Sequence, residues 1–277
     1  MRIKVDDISI NYIDEGQGNV VLLLHGWGAS IQTMMPIANI LKDKCRVIAL
    51  DLPGFGESDK PNEPWNSYDY ANCVHKFIEL KKIDNIILFG HSHGGRISII
   101  LSSMHNYVKK LILIDSAGII PKRKFKYYVK VYSFKLLKKL YLIFNKGNSK
   151  EQKLERFYKK YGSTDYKDSD GVMRQTMVKV IHDNLVELLH LIKAPTLLIW
   201  GENDEDTPVY MGKIMEEKIK DSGLIIFKDA GHFSYIDCYE QFKAVINVFL
   251  KEDFIGEWYN EYYNNFVFNL LVCPLFL

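Results

Sequence analysis

Ser92 lies in a sequence context that is typical of a catalytic nucleophile. It is the centre of the pentapeptide Gly90-His91-Ser92-His93-Gly94, which follows the apolar run Ile86–Phe89 and precedes a helical stretch. A Gly-x-Ser-x-Gly turn between a strand and a helix bends sharply, strains the serine backbone and exposes its Oγ. A chance glycine-rich turn is the alternative, but the strand and the helix on either side favour a nucleophile.

Four further motifs, in the same order along the chain, resemble those of the α/β-hydrolase family. Leu24–Gly28 (Leu-His-Gly-Trp-Gly) is similar to the family's oxyanion loop, and Asp51–Ser58 is similar to the loop after the next strand. Trp200–Asp204 resembles the turn that carries the catalytic acid, and Ala230–Phe233 resembles the turn that carries the histidine. The match covers roughly residues 10–250. It implies an α/β-hydrolase fold and a serine hydrolase.

The resemblance assigns Ser92, Asp204 and His232 to a catalytic triad, in the chain order expected for this fold. His232 is expected to be the general base that removes the Oγ proton and returns it to the leaving group. The acid keeps the imidazole in the right tautomer and stabilises the imidazolium. Asp204 fits the Gly-x-x-Asp turn, but Asp206 and Asp115 could also reach His232 and stay open as alternatives.

By the same resemblance, the backbone N–H groups of Trp27 and His93 bind the oxyanion. Losing one such donor typically costs ~3–4 kcal/mol of barrier. His25 is expected to brace the oxyanion loop through hydrogen bonds, and Asp51 to be a structural hydrogen-bond anchor. His91 and His93 flank the nucleophile like a metal-binding pair, but no further cluster of ligands accompanies them. No metal and no cofactor is therefore expected.

Short apolar runs, each ending in a turn, predict the elements that position these residues. The runs lack period-two alternation, which is typical of strands buried on both faces of a parallel sheet. Because helical stretches lie between them, the sequence predicts an α/β fold with a mostly parallel, doubly wound sheet. The predicted strands are Arg2–Val5 and Ile8–Tyr12, which form a hairpin, then Val20–Leu24, Val47–Leu50, Ile86–Phe89, Leu111–Ile114, Thr196–Trp200 and Leu224–Phe227. The predicted helices between them are Met34–Leu41, Tyr68–Leu80, Arg96–Ser103, Met211–Ile219 and Tyr239–Leu250.

A helical insertion interrupts this pattern at residues 118–191, which we call the cap. Residues 1–117 and 192–253 then form the α/β-hydrolase core. Residues 121–160 hold fourteen Lys or Arg and two Glu, a formal charge of +12, whereas the rest of the chain is −10. Apolar residues at helical spacing form a predicted stripe, with lysines on the other faces. Its members are Phe125, Tyr128, Val129, Tyr132, Leu136, Leu140 and Phe144.

Three interpretations of the basic cap stay open. The predicted stripe could pack on the core beneath a solvated lysine face, which is the usual arrangement of charge runs on helices. The cap could attract anionic substrates by electrostatic steering, or it could make weak contact with an anionic membrane.

The apolar and aromatic tail, residues 254–277, could pack on the body, mediate self-association or be disordered. The oligomeric state does not follow from the sequence.

Composition argues against several other classes of protein. The net charge of +2 gives no bulk attraction to nucleic acid, and no apolar run reaches the ~20 residues of a transmembrane helix. The first seven residues lack the apolar region of a signal peptide. Four widely separated cysteines do not suggest a disulfide framework, and they suit a reducing compartment. They are Cys45, Cys73, Cys238 and Cys273. We therefore expect a cytoplasmic enzyme.

The expected activity is cleavage of a carboxylic ester, or of a related small-molecule acyl compound, through an acyl-enzyme on Ser92. The same triad serves carbon–carbon bond hydrolases, thioesterases and aminopeptidases, and these residues do not separate them. A non-catalytic binding protein on the same fold is a further alternative. Such proteins typically lose a triad residue, whereas this sequence retains all three.

Overall fold

One mixed sheet forms the centre of the molecule. The computed structural model describes residues 1–122, 125–144, 149–161 and 171–254. The strands are β1 (Arg2–Val5), β2 (Ile8–Glu15), β3 (Val20–Leu24), β4 (Arg46–Leu50), β5 (Ile86–His91), β6 (Val108–Ile114), β7 (Thr196–Gly201) and β8 (Ser222–Phe227). Their order in the sheet is β1-β2-β4-β3-β5-β6-β7-β8. β2 pairs antiparallel with β1 and β4, and every other pair is parallel.

The predicted α/β-hydrolase fold is therefore confirmed, and each predicted strand is present. β2 is longer than expected because residues Tyr12 to Glu15 pair with β4. The sequence did not predict this extension, because it includes the polar residues Asp14 and Glu15. Backbone pairing does not require apolar side chains.

Helices cover both faces of the sheet, as a buried parallel sheet requires. They are α1 (Ile31–Leu41), α2 (Ser67–Leu80), α3 (His93–Met104), α4 (Phe125–Phe144), α5 (Lys150–Tyr161), α6 (Gly171–Val180), α7 (Tyr210–Lys218), α8 (Ser234–Asp237) and α9 (Tyr239–Phe249), with 3-10 turns at Val186–Leu191 and Lys251–Asp253. Successive side chains of a strand point to opposite faces. In β3, Leu22 and Leu24 pack with α2, α3 and α7, whereas Val21 and Leu23 pack with α1 and α9.

The described residues between β6 and β7 form α4, α5, α6 and a 3-10 turn, and none of them is in a strand. α4 packs on α5 through aromatic rings. The Phe157 ring of α5 lies 5.1 Å from that of Phe134 and 5.3 Å from that of Tyr141, centroid to centroid.

The interpretation in which the predicted stripe packs on the core is wrong for its described side chains. Val129, Tyr132, Leu136 and Leu140 are exposed, because Phe134 and Tyr141 on the other side of α4 form the contact with α5. The remaining members lie outside the described side chains; they are Phe125, Tyr128 and Phe144.

The tail beyond Phe254 lies outside the described residues, so its packing and its part in self-association stay predictions. Within the described ranges, no helix combines the length and the apolar character that crossing a membrane demands.

Candidate active site

The candidate nucleophile lies where β5 meets α3. β5 ends at His91 and α3 begins at His93, so Ser92 alone forms the turn. Its backbone has φ 51° and ψ −109°, in a region that residues with a side chain rarely adopt and that is typical of strained functional sites.

Close packing at this turn explains the two glycines of the pentapeptide. A Cβ on Gly94 would collide with the carbonyl oxygen of Leu24 at the end of β3. A Cβ on Gly90 would lie 2.6 Å from both the carbonyl oxygen of Gly94 and the Cα of Gly95. α3 therefore crosses the strand ends at a distance that only glycine permits, and this crossing fixes the direction of Ser92.

Three side chains from three loops form one hydrogen-bonded chain. Ser92 follows β5, Asp204 lies in the turn after β7, and His232 lies in the turn after β8. Ser92 Oγ is 3.0 Å from His232 Nε2, and His232 Nδ1 is 2.8 Å from Asp204 Oδ2. The distances fit a neutral imidazole that donates from Nδ1 to the carboxylate and accepts the serine proton at Nε2. The structure thus brings together the three residues that the sequence singled out.

The Asp204 carboxylate is buried, and both of its oxygens accept hydrogen bonds. Oδ1 accepts the backbone N–H groups of Asp206 and Thr207 at 2.8 and 2.9 Å, and Oδ2 lies 2.7 Å from Thr207 Oγ1. Burial alone would raise the pKa of Asp204, but the hydrogen bonds from His232 and Thr207 outweigh it and lower the pKa below its ordinary value. Asp204 is therefore ionised at neutral pH.

The same contact changes the basicity of the imidazole. Burial alone would lower the pKa of His232, but the hydrogen bond and the charge of Asp204 outweigh it and raise the pKa above its ordinary value of 6.5. A raised pKa stabilises the imidazolium that proton transfer from Ser92 creates. The arrangement is therefore suited to general-base chemistry.

The two alternative acids occupy other positions. The Asp206 side chain is exposed, and its backbone N–H donates a hydrogen bond to the Asp204 carboxylate. Asp115, directly after β6, is fully buried and accepts the N–H of Gly201 at 2.8 Å. It also accepts the N–H and the Oγ–H of Ser234 at 3.1 and 2.6 Å. Asp115 therefore ties the start of the acid turn to the histidine turn, and burial raises its pKa to about 7.

His91 holds the backbone of the histidine turn. Its Nε2 lies 2.8 Å from the carbonyl oxygen of His232. Burial lowers the pKa of His91 to about 3, so the ring is neutral and Nε2 donates its proton to that carbonyl.

Sequence reasoning did not assign these supporting roles to His91, Asp115 and Thr207. For Asp115, the available signal was its position directly after a core strand.

The two predicted oxyanion donors lie in neighbouring segments, a loop and the first turn of a helix. Trp27 follows β3, and His93 is the first residue of α3, where a backbone N–H has no partner within its own helix. The Trp27 and His93 rings meet edge to face, with their centroids 5.5 Å apart. The part that the two N–H groups take in a reaction stays a prediction.

His25 and Asp51 have the structural roles expected of them. His25 Nε2 accepts the N–H of Leu52 at 2.9 Å, and Nδ1 donates to the carbonyl oxygen of Gly26 at 2.7 Å. Burial lowers the pKa of His25 to about 4, so the ring is neutral. The Asp51 carboxylate accepts the N–H of Ile31 at 2.7 Å. These bonds fix the loops after β3 and β4 against each other.

Among the described residues, one cluster has the donor types of a metal site. Potential ligand atoms of Asp204, Asp206 and His232 lie within 4.8 Å of one another. However, His232 Nδ1 is hydrogen-bonded to Asp204, whose two oxygens also accept bonds from the turn. The geometry therefore favours an acid–base pair over a cation site.

Comparisons with known proteins agree with this fold. The chain belongs to the family described as alpha/beta hydrolase fold, whose model matches residues 19–238. The AB hydrolase superfamily protein YisY of Bacillus subtilis is 28% identical over 265 residues, which cover 89% of this chain and 97% of the relative. Lipase 1 of Psychrobacter immobilis is 26% identical over 274 residues, covering 85% of this chain and 80% of the lipase. The crystal structure of a membrane phospholipase A matches with a TM-score of 0.71 and 26% identity, over 91% of this chain and 85% of that one. These relatives support a hydrolase.

Proposed function

We propose that this protein is a serine hydrolase that cleaves the carboxylic ester of a small-molecule substrate. The observation that carries the proposal is the unbroken hydrogen-bonded chain from Ser92 Oγ through the His232 ring to Asp204, with distances of 3.0 and 2.8 Å. A lipase and a phospholipase among the similar proteins support an ester as the substrate. A hexadienoic acid hydrolase and a proline iminopeptidase among them keep carbon–carbon and amide bonds as alternatives.

In the first half of the reaction, His232 Nε2 takes the proton of Ser92 Oγ as that oxygen bonds to the acyl carbon. The carbonyl π electrons move to the carbonyl oxygen, which becomes the oxyanion. The N–H groups of Trp27 and His93 are the proposed donors to this oxyanion. When the tetrahedral intermediate collapses, the ester C–O bond breaks and His232 gives its proton to the departing alkoxide.

In the second half, water replaces the alcohol. His232 removes a proton from the water, whose oxygen attacks the acyl carbon of the Ser92 ester. Collapse releases the carboxylic acid and returns the proton to Ser92 Oγ. Asp204 keeps Nδ1 protonated and stabilises the imidazolium in both halves. Neither half uses a metal or a cofactor.

A fluorophosphonate probe tests the nucleophile directly, since it phosphonylates activated serines. We expect labelling of the whole protein, an adduct mapped to Ser92 by mass spectrometry, and loss of labelling in Ser92→Ala. Ser103→Ala is the matched control, because Ser103 lies further along α3 and its Oγ bonds to the carbonyl oxygen of Ile100. Hydrolysis of a p-nitrophenyl ester of a short acid should follow the labelling.

The outcomes separate the alternatives. If the probe does not label the protein, and Ser92→Ala makes no difference to any hydrolysis, the protein is not a serine hydrolase. If Ser92 is labelled but only thioesters, amides or carbon–carbon bonds are cleaved, the triad assignment survives and the ester assignment is wrong.

A further inference from the structure

One face of α4 is apolar and open to solvent. We define the exposed α4 face as Val129, Tyr132, Leu136, Leu140 and Ile143. These side chains are between 43% and 66% exposed. At about 100° per residue they fall within an arc of about 80°, so they form a continuous line along one side of the helix. A contiguous line of exposed apolar side chains is a candidate interaction surface.

Packing on the opposite side of α4 holds this face outward. The Phe134 and Tyr141 rings contact Phe157 of α5. Lys138 also points toward α5, with Nζ 3.5 Å from the Tyr158 hydroxyl. α5 in turn contacts α6, where the Arg174 guanidinium lies over the Tyr158 ring. The orientation of the exposed α4 face is therefore set by contacts inside the cap.

The charge of α4 indicates which kind of surface the exposed α4 face can bind. Its twenty residues include five lysines and no aspartate or glutamate. Lys135 and Lys139 are exposed, and helical spacing places both beside the apolar line. Lysines at the border of an apolar face can reach anionic headgroups while the apolar side chains enter the interface.

We propose that α4 docks on the surface of an anionic lipid bilayer, with its exposed face in the interface and with Lys135 and Lys139 at the headgroups. The helix is about 30 Å long and lies in the plane of the membrane. A second copy of this chain is a poorer occupant, because an isologous contact would bring the lysines of two α4 helices together. The inference concerns binding and does not depend on the proposed catalytic reaction.

Vesicle flotation of the full chain tests the proposal. We expect the protein to float with phosphatidylcholine vesicles that contain phosphatidylglycerol and to stay behind with phosphatidylcholine alone. High salt should release it, because salt screens the lysine contacts. Ser92→Ala should float like the original protein, which separates this result from any test of the triad.

Two variants address the apolar and charged parts separately. Leu136→Glu combined with Leu140→Glu should lower the partition coefficient by at least about tenfold, because two apolar side chains no longer enter the interface. Lys135→Gln combined with Lys139→Gln should lower it by about fivefold for each lysine removed.

Matched controls lie on other elements of the molecule. Leu80→Glu changes a leucine of α2 that is 53% exposed, and Lys213→Gln with Lys218→Gln removes two exposed lysines of α7. Both controls should float normally, and circular dichroism should show the same fold in every variant. The proposal is overturned if the α4 variants float like their controls, or if vesicles without anionic lipid bind equally well. It is also overturned if the Leu136 and Leu140 changes dissociate an oligomer without altering flotation, since a second copy then covers the face.

Discussion

Asp204 and Asp206 lie two residues apart in one turn, yet they meet His232 differently. Asp204 Oδ2 is 2.8 Å from His232 Nδ1, whereas Asp206 contributes its backbone N–H and leaves its carboxylate exposed. An amide at position 204 would present N–H donors to the ring and favour the wrong tautomer. The position of the carboxylate, and not its mere presence in the turn, decides which residue orients the base.

We therefore expect Asp204→Asn to lower kcat by about 10⁴-fold. Asp206→Asn should leave kcat close to that of the original protein, because Asp206 contacts Asp204 through its backbone N–H. Steady-state hydrolysis of a p-nitrophenyl ester measures both, with thermal unfolding to show that each variant folds. If Asp206→Asn is the inactive variant, the acid has been assigned to the wrong residue.

The pH dependence of activity follows from the state of His232. Only the neutral ring can accept the Ser92 proton, and Asp204 raises the pKa of His232 above 6.5. A raised pKa keeps the ring protonated to higher pH, so kcat/KM should fall as the pH drops through a midpoint above 6.5. A pH profile of kcat/KM measures this midpoint, and a flat profile down to about pH 5 would exclude His232 as the base.

Asp115 provides the control, because burial raises its pKa to about 7 and it titrates in the same range. The charge of Asp115 also raises the pKa of His232. In Asp115→Asn, the fall of kcat/KM in acid should persist, with its midpoint moved to lower pH. If the fall disappears, it is caused by Asp115 and not by His232.

At the level of single residues, the sequence predicted the reacting groups better than the groups that support them. Ser92, Asp204 and His232 belong to short motifs, and each motif can be recognised in the sequence without the others. Asp115 and His91 act through bonds to residues more than eighty positions away. Those bonds exist only because the parallel strands end at one edge of the sheet.

At the level of elements, the crossing of α3 over β3 determines where Ser92 points. A methyl group on Gly94 would meet the carbonyl oxygens of Leu24 and His25, and backbone atoms cannot move aside as side chains can. By contrast, a Cβ on Gly28 would meet nothing within 4 Å, although its φ of +72° is unfavourable for other residues.

We expect Gly94→Ala to lower the free energy of unfolding by about 3 kcal/mol, and Gly28→Ala to lower it by about 1–2 kcal/mol, the cost of a left-handed backbone alone. Urea denaturation at neutral pH compares the two. Equal losses would show that α3 can shift without strain, and that the close approach does not hold the turn.

The elements themselves differ in how well the sequence predicts them. Short apolar runs predicted β3 to β8, most of which are buried on both faces and therefore hold few polar residues. β1 and β2 include polar residues and form the hairpin at the edge of the sheet. The apolar periodicity of α4 was also visible, but it could not show which of several apolar positions finds a partner. The rings of Phe134 and Tyr141 pack on Phe157, and Leu136 and Leu140 are left exposed.

At the level of the whole molecule, an ion cluster joins three elements at the antiparallel side of the sheet. Asp14 of β2 accepts a bidentate pair of hydrogen bonds from Arg46 of β4, at 2.8 and 2.7 Å. Lys81, directly after α2, lies 2.9 Å from the same carboxylate. The hydrogen bond from Arg46, together with Lys81, lowers the pKa of Asp14 from 3.8 to about 2 against the effect of burial.

Because the pKa of Asp14 is depressed in the folded state, its stabilising contribution is complete well above pH 3.8 and is lost as the pH falls from 3.8 towards 2. Asp14→Asn should therefore lower the free energy of unfolding at neutral pH by about 1–2 kcal/mol, and the difference from the original protein should shrink in acid. Urea unfolding across this pH range measures the difference. Asp84→Asn makes the same charge change at an exposed site and should give a small difference at every pH. A deficit in Asp14→Asn that stays constant down to the acid end would mean that the cluster stabilises the fold through packing rather than through charge.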